Sequence, residues 1–335
     1  MAGNTGAWSR DQRVLVTGAT GLVGNNVTRL LVAQGVPVRV LMRNPRDTRP
    51  IEGLEVEIAS GDVTDADSLQ RALQGVRGVV HAAGCVLLGW QNAELHRSVN
   101  HMGTQHVAEA ARQAGARMVY VSTINALGVG LRDRLADEEW VAGPNVACPY
   151  VVSKQAADQS VREQIECGLD ACIVYPGLMF GPWDWKPSSG RMFLEVVRRF
   201  TPFAPGGGVT VCDVRDVAQA IITALAIAPP GRAFVLAGHN LTYLKLWQHF
   251  VDIAGGSRPL GRSGPLMRIV AGRVGDLWGR VTGREPDVNS AAIKLSNPFH
   301  YFSSARAQRE LGYQIRPIEA SLHDTWQWFR EYGFV

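Results

Sequence analysis

VLVTGATGLVG, residues 14–24, governs the reading of the whole chain. Val14, Leu15 and Val16 give a short buried-strand signal, and Gly18, Gly21 and Gly24 follow at spacings of three where a helix should open. Gly18 allows a tight turn, Gly21 lets the backbone approach a pyrophosphate, and Gly24 lets the helix pack on its strand. Free helical N–H groups then face the anion. Gly18, Thr20, Gly21, Leu22, Val23 and Gly24 together would form a dinucleotide cradle. Glycine triplets occur at many strand-to-helix turns, so this one gains meaning only from matched parts downstream.

Outward from the cradle, strand and helix patterns alternate. A helix over 25–34 stops at Gly35, and VPVRVLM (36–42) is a second strand. Strand patterns at 54–59, 78–81, 118–122 and 171–175 are separated by helical ones at 66–74, 93–114 and 150–167. This predicts an α/β fold: a doubly wound parallel sheet, covered on both faces, with its ligand at the carboxyl edge. After Pro176 the pattern loosens. Residues 178–208 are rich in Pro, Gly and Trp, 209–226 read as a strand and helix returning to the main sheet, and 232–237 add a strand. Helices are expected over 244–254, 265–281 and 317–332. The expected organisation is a Rossmann domain over 11–177, with 209–238 returning to it. A smaller, mostly helical substrate lobe is expected from 178–208 and 239–335.

Composition excludes several classes. The 335 residues are 46% apolar, enough for a sizeable core, and the net charge of +4 is small and dispersed, which argues against nucleic acid. Five cysteines, Cys85, Cys148, Cys167, Cys172 and Cys212, lack C-x-x-C pairing. They point to a reducing, cytoplasmic setting and to no metal site. The lead-in MAGNTGAWSRDQR has no apolar h-region, and the greasy run 217–228 is too short to span a bilayer. Segment 265–281 mixes apolar residues with Arg268, Arg273 and Arg280. It fits an amphipathic helix packed on the lobe better than a helix lying on a membrane.

YVVSK carries the chemistry. Tyr150 and Lys154 are four residues apart, so a helix puts both on one face, with Pro149 suited to the first helical position. A tyrosine of ordinary pKa is a poor base at neutral pH, and a neighbouring ammonium favours its phenolate. Ser122 and Thr123 end the strand VYVS, where a hydroxyl could hold a substrate oxygen beside Tyr150. His81 is read as a packing residue, Cys148 as a small packed one, and Asp213, Arg215 and Asp216 as an ion-pair or capping group.

The ordered motifs TGATGLVG, GDV (61–63), HAAG (81–84), NHMGT (100–104), STINALG (122–128) and YVVSK resemble the extended short-chain dehydrogenase/reductase family over nearly the whole chain. The resemblance implies that Tyr150 is the general acid/base, and that Lys154 lowers its pKa and holds the nicotinamide ribose. The catalytic hydroxyl would be Thr123, with Ser122 as the alternative. Asp62 and Val63 would contact the adenine, Ala82 and Ala83 would line the cofactor, and Asn100 would steady the catalytic helix or a water. Pro176, Gly177 and Leu178 would pass the carboxamide. Many relatives dimerise through the helices corresponding to 93–114 and 150–167, so a homodimer is expected.

NAD-specific members usually end the second strand with an acid; here Met42 stands there, followed by Arg43, with Arg39 and Arg46 nearby. NADP(H) is therefore favoured over NAD(H). The Arg-Asp-Phe segment of sugar-nucleotide members is replaced by Gly206, Gly207 and Gly208. The branches nearest in pattern are dihydroflavonol-reductase-like, 3β-hydroxysteroid-dehydrogenase-like and hopanoid-associated sugar epimerase-like. Candidate pocket residues are Leu87, Leu88, Trp90, Met179, Phe180, Trp183 and Trp185, which would suit a small apolar cyclic substrate. The expected activity is hydride transfer to or from a carbonyl or secondary alcohol. The alternatives are a sugar epimerase or dehydratase that recycles its cofactor internally, and a dinucleotide-sensing protein without catalysis.

Overall fold

The computed structural model describes Trp8 and residues 11–335; the other residues of the polar lead-in lie outside the described residues. β1 (Arg13–Thr17), α1 (Leu22–Ala33) and β2 (Val38–Met42) form the expected first crossover, followed by β3 (Glu57–Ser60), α2 (Ala66–Ala72) and β4 (Val76–His81). Next come α3 (Ala93–His96), a π-helical segment at Arg97–Met102, and α4 (Gly103–Gln113). β5 (Arg117–Val121), α5 (Ile124–Leu127), α6 (Pro149–Glu166) and β6 (Ala171–Pro176) complete this part. Pro149 opens α6, where its missing N–H leaves no bond unmade.

Beyond Pro176 run β7 (Leu178–Phe180), α7 (Ser189–Arg198), β8 (Phe203–Ala204), β9 (Gly208–Asp213), α8 (Val214–Ile227) and β10 (Ala233–Leu236). They are followed by β11 (His239–Thr242), α9 (Tyr243–Ala254), β12 (Gly261–Arg262), α10 (Pro265–Thr282) and α11 (Ser290–Ser296). β13 (Phe299–His300), α12 (Ala305–Leu311) and α13 (Ile318–Glu331) end the chain.

The main sheet is parallel throughout, in the order β10, β6, β5, β4, β1, β2, β3. Its strands alternate between two apolar layers. Val14, Val16, Val119 and Val121 meet α1 and α8 on one face; Leu15, Met118 and Tyr120 meet α2, α4 and α6 on the other. Each fully buried valine or leucine contributes about 1.5–3 kcal/mol, and the alternation lets both helix layers share one sheet. This is the doubly wound fold that the strand and helix spacing predicts.

One strand departs from expectation. β9 does not join the main sheet, and only α8 and β10 return to it. β6 and β10 are neighbours that bend apart past Gly177 and Gly238, and their continuations β7 and β11 both pair with β9. A Cβ at Gly177 would lie 2.6 Å from Thr210, and one at Gly238 would lie 2.1 Å from the Val211 carbonyl oxygen. These two close approaches let β9 wedge between the splayed strands. Around this small sheet, α7, α9 and α13 build a further core from Phe180, Phe193, Phe250 and Leu322.

α10 also departs from expectation. It is amphipathic, but its apolar face is turned to solvent and its glycine face to the protein.

Candidate active site

β1 delivers the chain to Gly18 at φ +74°. A Cβ there would stand 2.7 Å from the backbone of Ala82 and Ala83, and one at Gly24 would stand 2.3 Å from the Gly18 carbonyl oxygen. The protein's own packing therefore requires both glycines. Gly21 is different: a Cβ would meet nothing nearer than 3.4 Å, so no protein atom demands its bareness. It is the N-cap of α1, with no side-chain cap and no acid in the first turn. The N–H groups of that turn and the positive end of the helix are thus open to an anion. This cradle fits a dinucleotide pyrophosphate. Asn25 braces it, donating to the Ala19 carbonyl at 2.9 Å and the Pro50 carbonyl at 2.7 Å.

The remaining residues expected at the cofactor follow neighbouring strands at the same edge: Asp62 and Val63 after β3, Ala82 and Ala83 after β4, and Gly177 and Leu178 after β6, whose last residue is Pro176. Val63 is buried against Gly103 of α4. Arg43 leaves the end of β2 largely exposed, its Nε 4.0 Å from Asp62 Oδ2. Arg39, which the sequence sets beside it, is turned elsewhere. Its guanidinium donates to the Ala72 and Gln74 carbonyls at 2.6 and 2.8 Å and pairs with Glu57 at 2.8 Å, a structural role at the end of α2.

Tyr150 lies in the first turn of α6, buried, beside the end of β5. Thr123, just past the end of β5, caps α5 by accepting the Asn125 N–H at 3.3 Å. Burial pushes the Tyr150 phenol up to about 12, and the nearby Thr123 hydroxyl works against that rise. Ser122 faces the interior: its hydroxyl donates to Asp158 Oδ1 at 2.5 Å. Alternation along an extended chain separates the two hydroxyls. Lys154 is buried on the same face of α6 as Tyr150 and donates to the Tyr120 hydroxyl and the Val121 carbonyl, both at 3.0 Å. Burial lowers its ammonium to about 8, while Asp158 resists that fall.

A buried polar network underlies this site, and sequence reading missed most of it. His81 bridges Thr17 at 2.7 Å and Thr104 at 2.9 Å and stacks on Tyr120 at 5.6 Å. Burial, aided by Lys154, drops the imidazole to about 3, so it stays neutral. Asp158 is raised to about 6 by burial, opposed by the bond from Ser122 and by Lys154. Spacing could have flagged Asp158, which continues the Tyr150, Lys154 series by four residues on one helix. His96, whose ring meets that of Tyr150 edge-on at 6.1 Å, carried no sequence signal.

Asn100 lies in the π-helical segment. It accepts from the Cys85 N–H at 2.7 Å and donates to the Cys85 carbonyl at 2.9 Å and to Ser153 Oγ at 3.0 Å. It ties the chain after HAAG to α6. Of the expected pocket residues, Leu87, Leu88 and Trp90 form an exposed apolar loop there. Phe180 belongs to the core with Phe193 and Phe250. Trp183 and Trp185 pack with Trp328 and Tyr332, with Arg29 stacked 3.3 Å over Trp183. They close the α13 end of the molecule, where apolar rings gain most by packing together. Asp213 caps α8 through the Arg215 N–H and pairs with Arg215, which reaches on to Asp324. No cluster of potential metal ligands occurs among the described residues.

Residues 14–237 match the NAD dependent epimerase/dehydratase family. The chain belongs to that family. It is an extended short-chain dehydrogenase/reductase, an NAD(P)-dependent oxidoreductase. Sterol demethylase protein B of Methylococcus capsulatus is 33% identical, over 96% of this chain and 99% of that one. A putative dihydroflavonol 4-reductase of Synechocystis is 31% identical, over 96% and 95%. Among solved structures, gox2253 superposes with a TM-score of 0.83 at 34% identity, covering 96% of this chain and 99% of that one. UDP-glucose 4-epimerase of Thermus thermophilus, in complex with NAD, shares the fold, with a TM-score of 0.75 at 23% identity over 95% and 99%.

Proposed function

We propose that this oxidoreductase interconverts a ring ketone and a secondary alcohol on a small, largely apolar substrate, with NADP(H) as its coenzyme. The observation that carries this reading is Tyr150 and Lys154 buried on one face of α6, with Thr123 close enough to act on the phenol, at the carboxyl edge of the sheet. When bound, the coenzyme supplies or accepts the hydride. Tyr150 gives its proton to the substrate oxygen in reduction and takes it back in oxidation, and Thr123 holds that oxygen in reach. Lys154 would hold the ribose, Gly18, Thr20, Gly21, Leu22, Val23 and Gly24 the pyrophosphate, and Asp62 and Val63 the adenine. Ala82, Ala83, Pro176, Gly177 and Leu178 would line the remaining length.

Arg43 supports the choice of NADP(H), since it follows β2 with its guanidinium exposed and would offer a 2′-phosphate a cation. The apolar loop of Leu87, Leu88 and Trp90 supports a greasy substrate, as do the relatives whose names carry a sterol and a dihydroflavonol. The substrate lobe is assigned to 178–208 and 239–335. A cytoplasmic homodimer pairing α4 and α6 completes the reading.

Tyr150→Phe tests it. Turnover of a cyclic ketone panel should fall by about 10²–10⁴-fold, the usual worth of a general acid, with dinucleotide binding retained. Near-normal turnover would overturn the assignment. Coenzyme consumed one for one with product supports the reductase; a redox-neutral product without added coenzyme would support an epimerase.

A further inference from the structure

α10 has its amphipathic face reversed. Leu266, Val270, Val274, Leu277 and Val281 recur at helical spacing as one stripe, with Trp278 beside it, and all are exposed. Val274, Leu277, Trp278 and Val281 are 62–76% exposed, far beyond what scattered surface apolar residues require. Gly272, Gly275 and Gly279 form the inner side. Val270 and Gly272, like Leu277 and Gly279, differ by two positions, which is about 200° around the helix. The glycines lie so close to their neighbours that a Cβ at Gly275 would stand 1.9 Å from the Val288 carbonyl oxygen, and one at Gly279 would stand 2.7 Å from Gln91. The helix is pinned by its bare side and holds its greasy side outward.

The loop of Val86, Leu87, Leu88 and Trp90 is also exposed. Asn289 donates to the Leu88 carbonyl and Trp90 Nε1 to Ser290 Oγ, both at 2.7 Å, which binds that loop to the start of α11. Charge is one-sided. Arg273 and Arg280, seven residues apart, line one margin of the stripe and are exposed. The groove between α10 and α11 on that flank adds Lys294 and also holds Asp276, while Arg268, about 200° from Leu266, donates to Asn297 Oδ1 at 2.5 Å. The single acid of α10, Asp276, is half-buried in that groove and accepts the Ser290 N–H at 2.9 Å.

We propose that α10 docks the protein on an anionic lipid bilayer, its apolar stripe lying among the acyl chains and its arginines on the phosphates. No helix among the described residues is long and apolar enough to cross a membrane, so the contact is interfacial. Charge favours lipid over a second copy of the chain. A two-fold contact sets the same patch against itself, and the one acid of α10, Asp276, already holds the Ser290 N–H while Arg273, Arg280 and Lys294 share its flank.

The experiment is flotation of the full chain with phosphatidylcholine vesicles, with and without phosphatidylglycerol. Wild type should float with the anionic vesicles and dissociate as salt rises. Arg273→Glu with Arg280→Glu should weaken binding about fivefold per arginine removed. Val274→Glu with Leu277→Glu should weaken it at least about tenfold, with thermal unfolding and dinucleotide binding unchanged. Absence of flotation, or flotation unaltered by the glutamates, overturns the proposal. So does a wild-type dimer, blind to vesicles, that these glutamates convert to monomers. None of these readouts uses turnover, so the result is independent of the role of Tyr150.

Discussion

Ser122 donates its hydroxyl to the buried Asp158 carboxylate at 2.5 Å, and is thereby committed away from the Tyr150 phenol on which its neighbour Thr123 acts. The two adjacent hydroxyls should separate cleanly by mutation. Thr123→Val should lower kcat about 10²-fold, as loss of an oxygen-positioning donor does, and should cost about 1 kcal/mol of stability because Thr123 also caps α5 through the Asn125 N–H. Ser122→Ala should cost about 1–3 kcal/mol in urea unfolding, because a buried carboxylate loses its donor. The opposite pattern would return the catalytic hydroxyl to Ser122.

Gly21 and Gly24 should respond differently to alanine. Gly24→Ala forces a Cβ onto the Gly18 carbonyl, so the Tm should fall by several degrees or the protein should fail to accumulate. Gly21→Ala meets no protein atom within 3.4 Å and should leave the Tm intact. Its methyl group should instead weaken dinucleotide binding at least about tenfold, measured by calorimetry. Unimpaired binding would show that the pyrophosphate does not approach that turn.

Arg43→Glu should invert coenzyme preference. A carboxylate facing a 2′-phosphate loses a charge-assisted bond and adds repulsion, so the Kd for NADPH should rise about tenfold or more, with that for NADH flat or lower. Arg39→Lys should leave the NADPH/NADH ratio alone, because Arg39 serves Glu57 and the end of α2.

Two buried groups should impose opposite pH slopes on stability. Asp158, raised to about 6, binds its proton more readily folded than unfolded, so it subtracts stability as pH climbs from about 4 to 6. The Tm of Asp158→Asn relative to wild type should therefore improve across that rise. His81, lowered to about 3, is neutral when folded, so its contribution is present above about 6.5 and lost as pH falls below that value. The deficit of His81→Asn should accordingly shrink on acidification. Parallel slopes for the two variants would contradict these environments.

Local spacing was enough for the crossover at 14–42, the alternation behind the parallel sheet, and the shared α6 face of Tyr150 and Lys154, though Lys154 donates to Tyr120 and Val121 rather than to Tyr150. Each depends on residues within one or two elements, where periods of two and 3.6 act directly. The wedge at β9 was hidden, since VTVCD marks a buried strand without naming its neighbours. So were the inward turn of Ser122, the diversion of Arg39 to Glu57, the aromatic packing of Trp183 and Trp185, and the outward face of α10. Each of these is decided by which distant surfaces meet: Asp158 with Ser122, Glu57 with Arg39, Trp328 with Trp185, and Val288 with Gly275. An apolar stripe has the same period whichever way it points, and only packing chooses its direction.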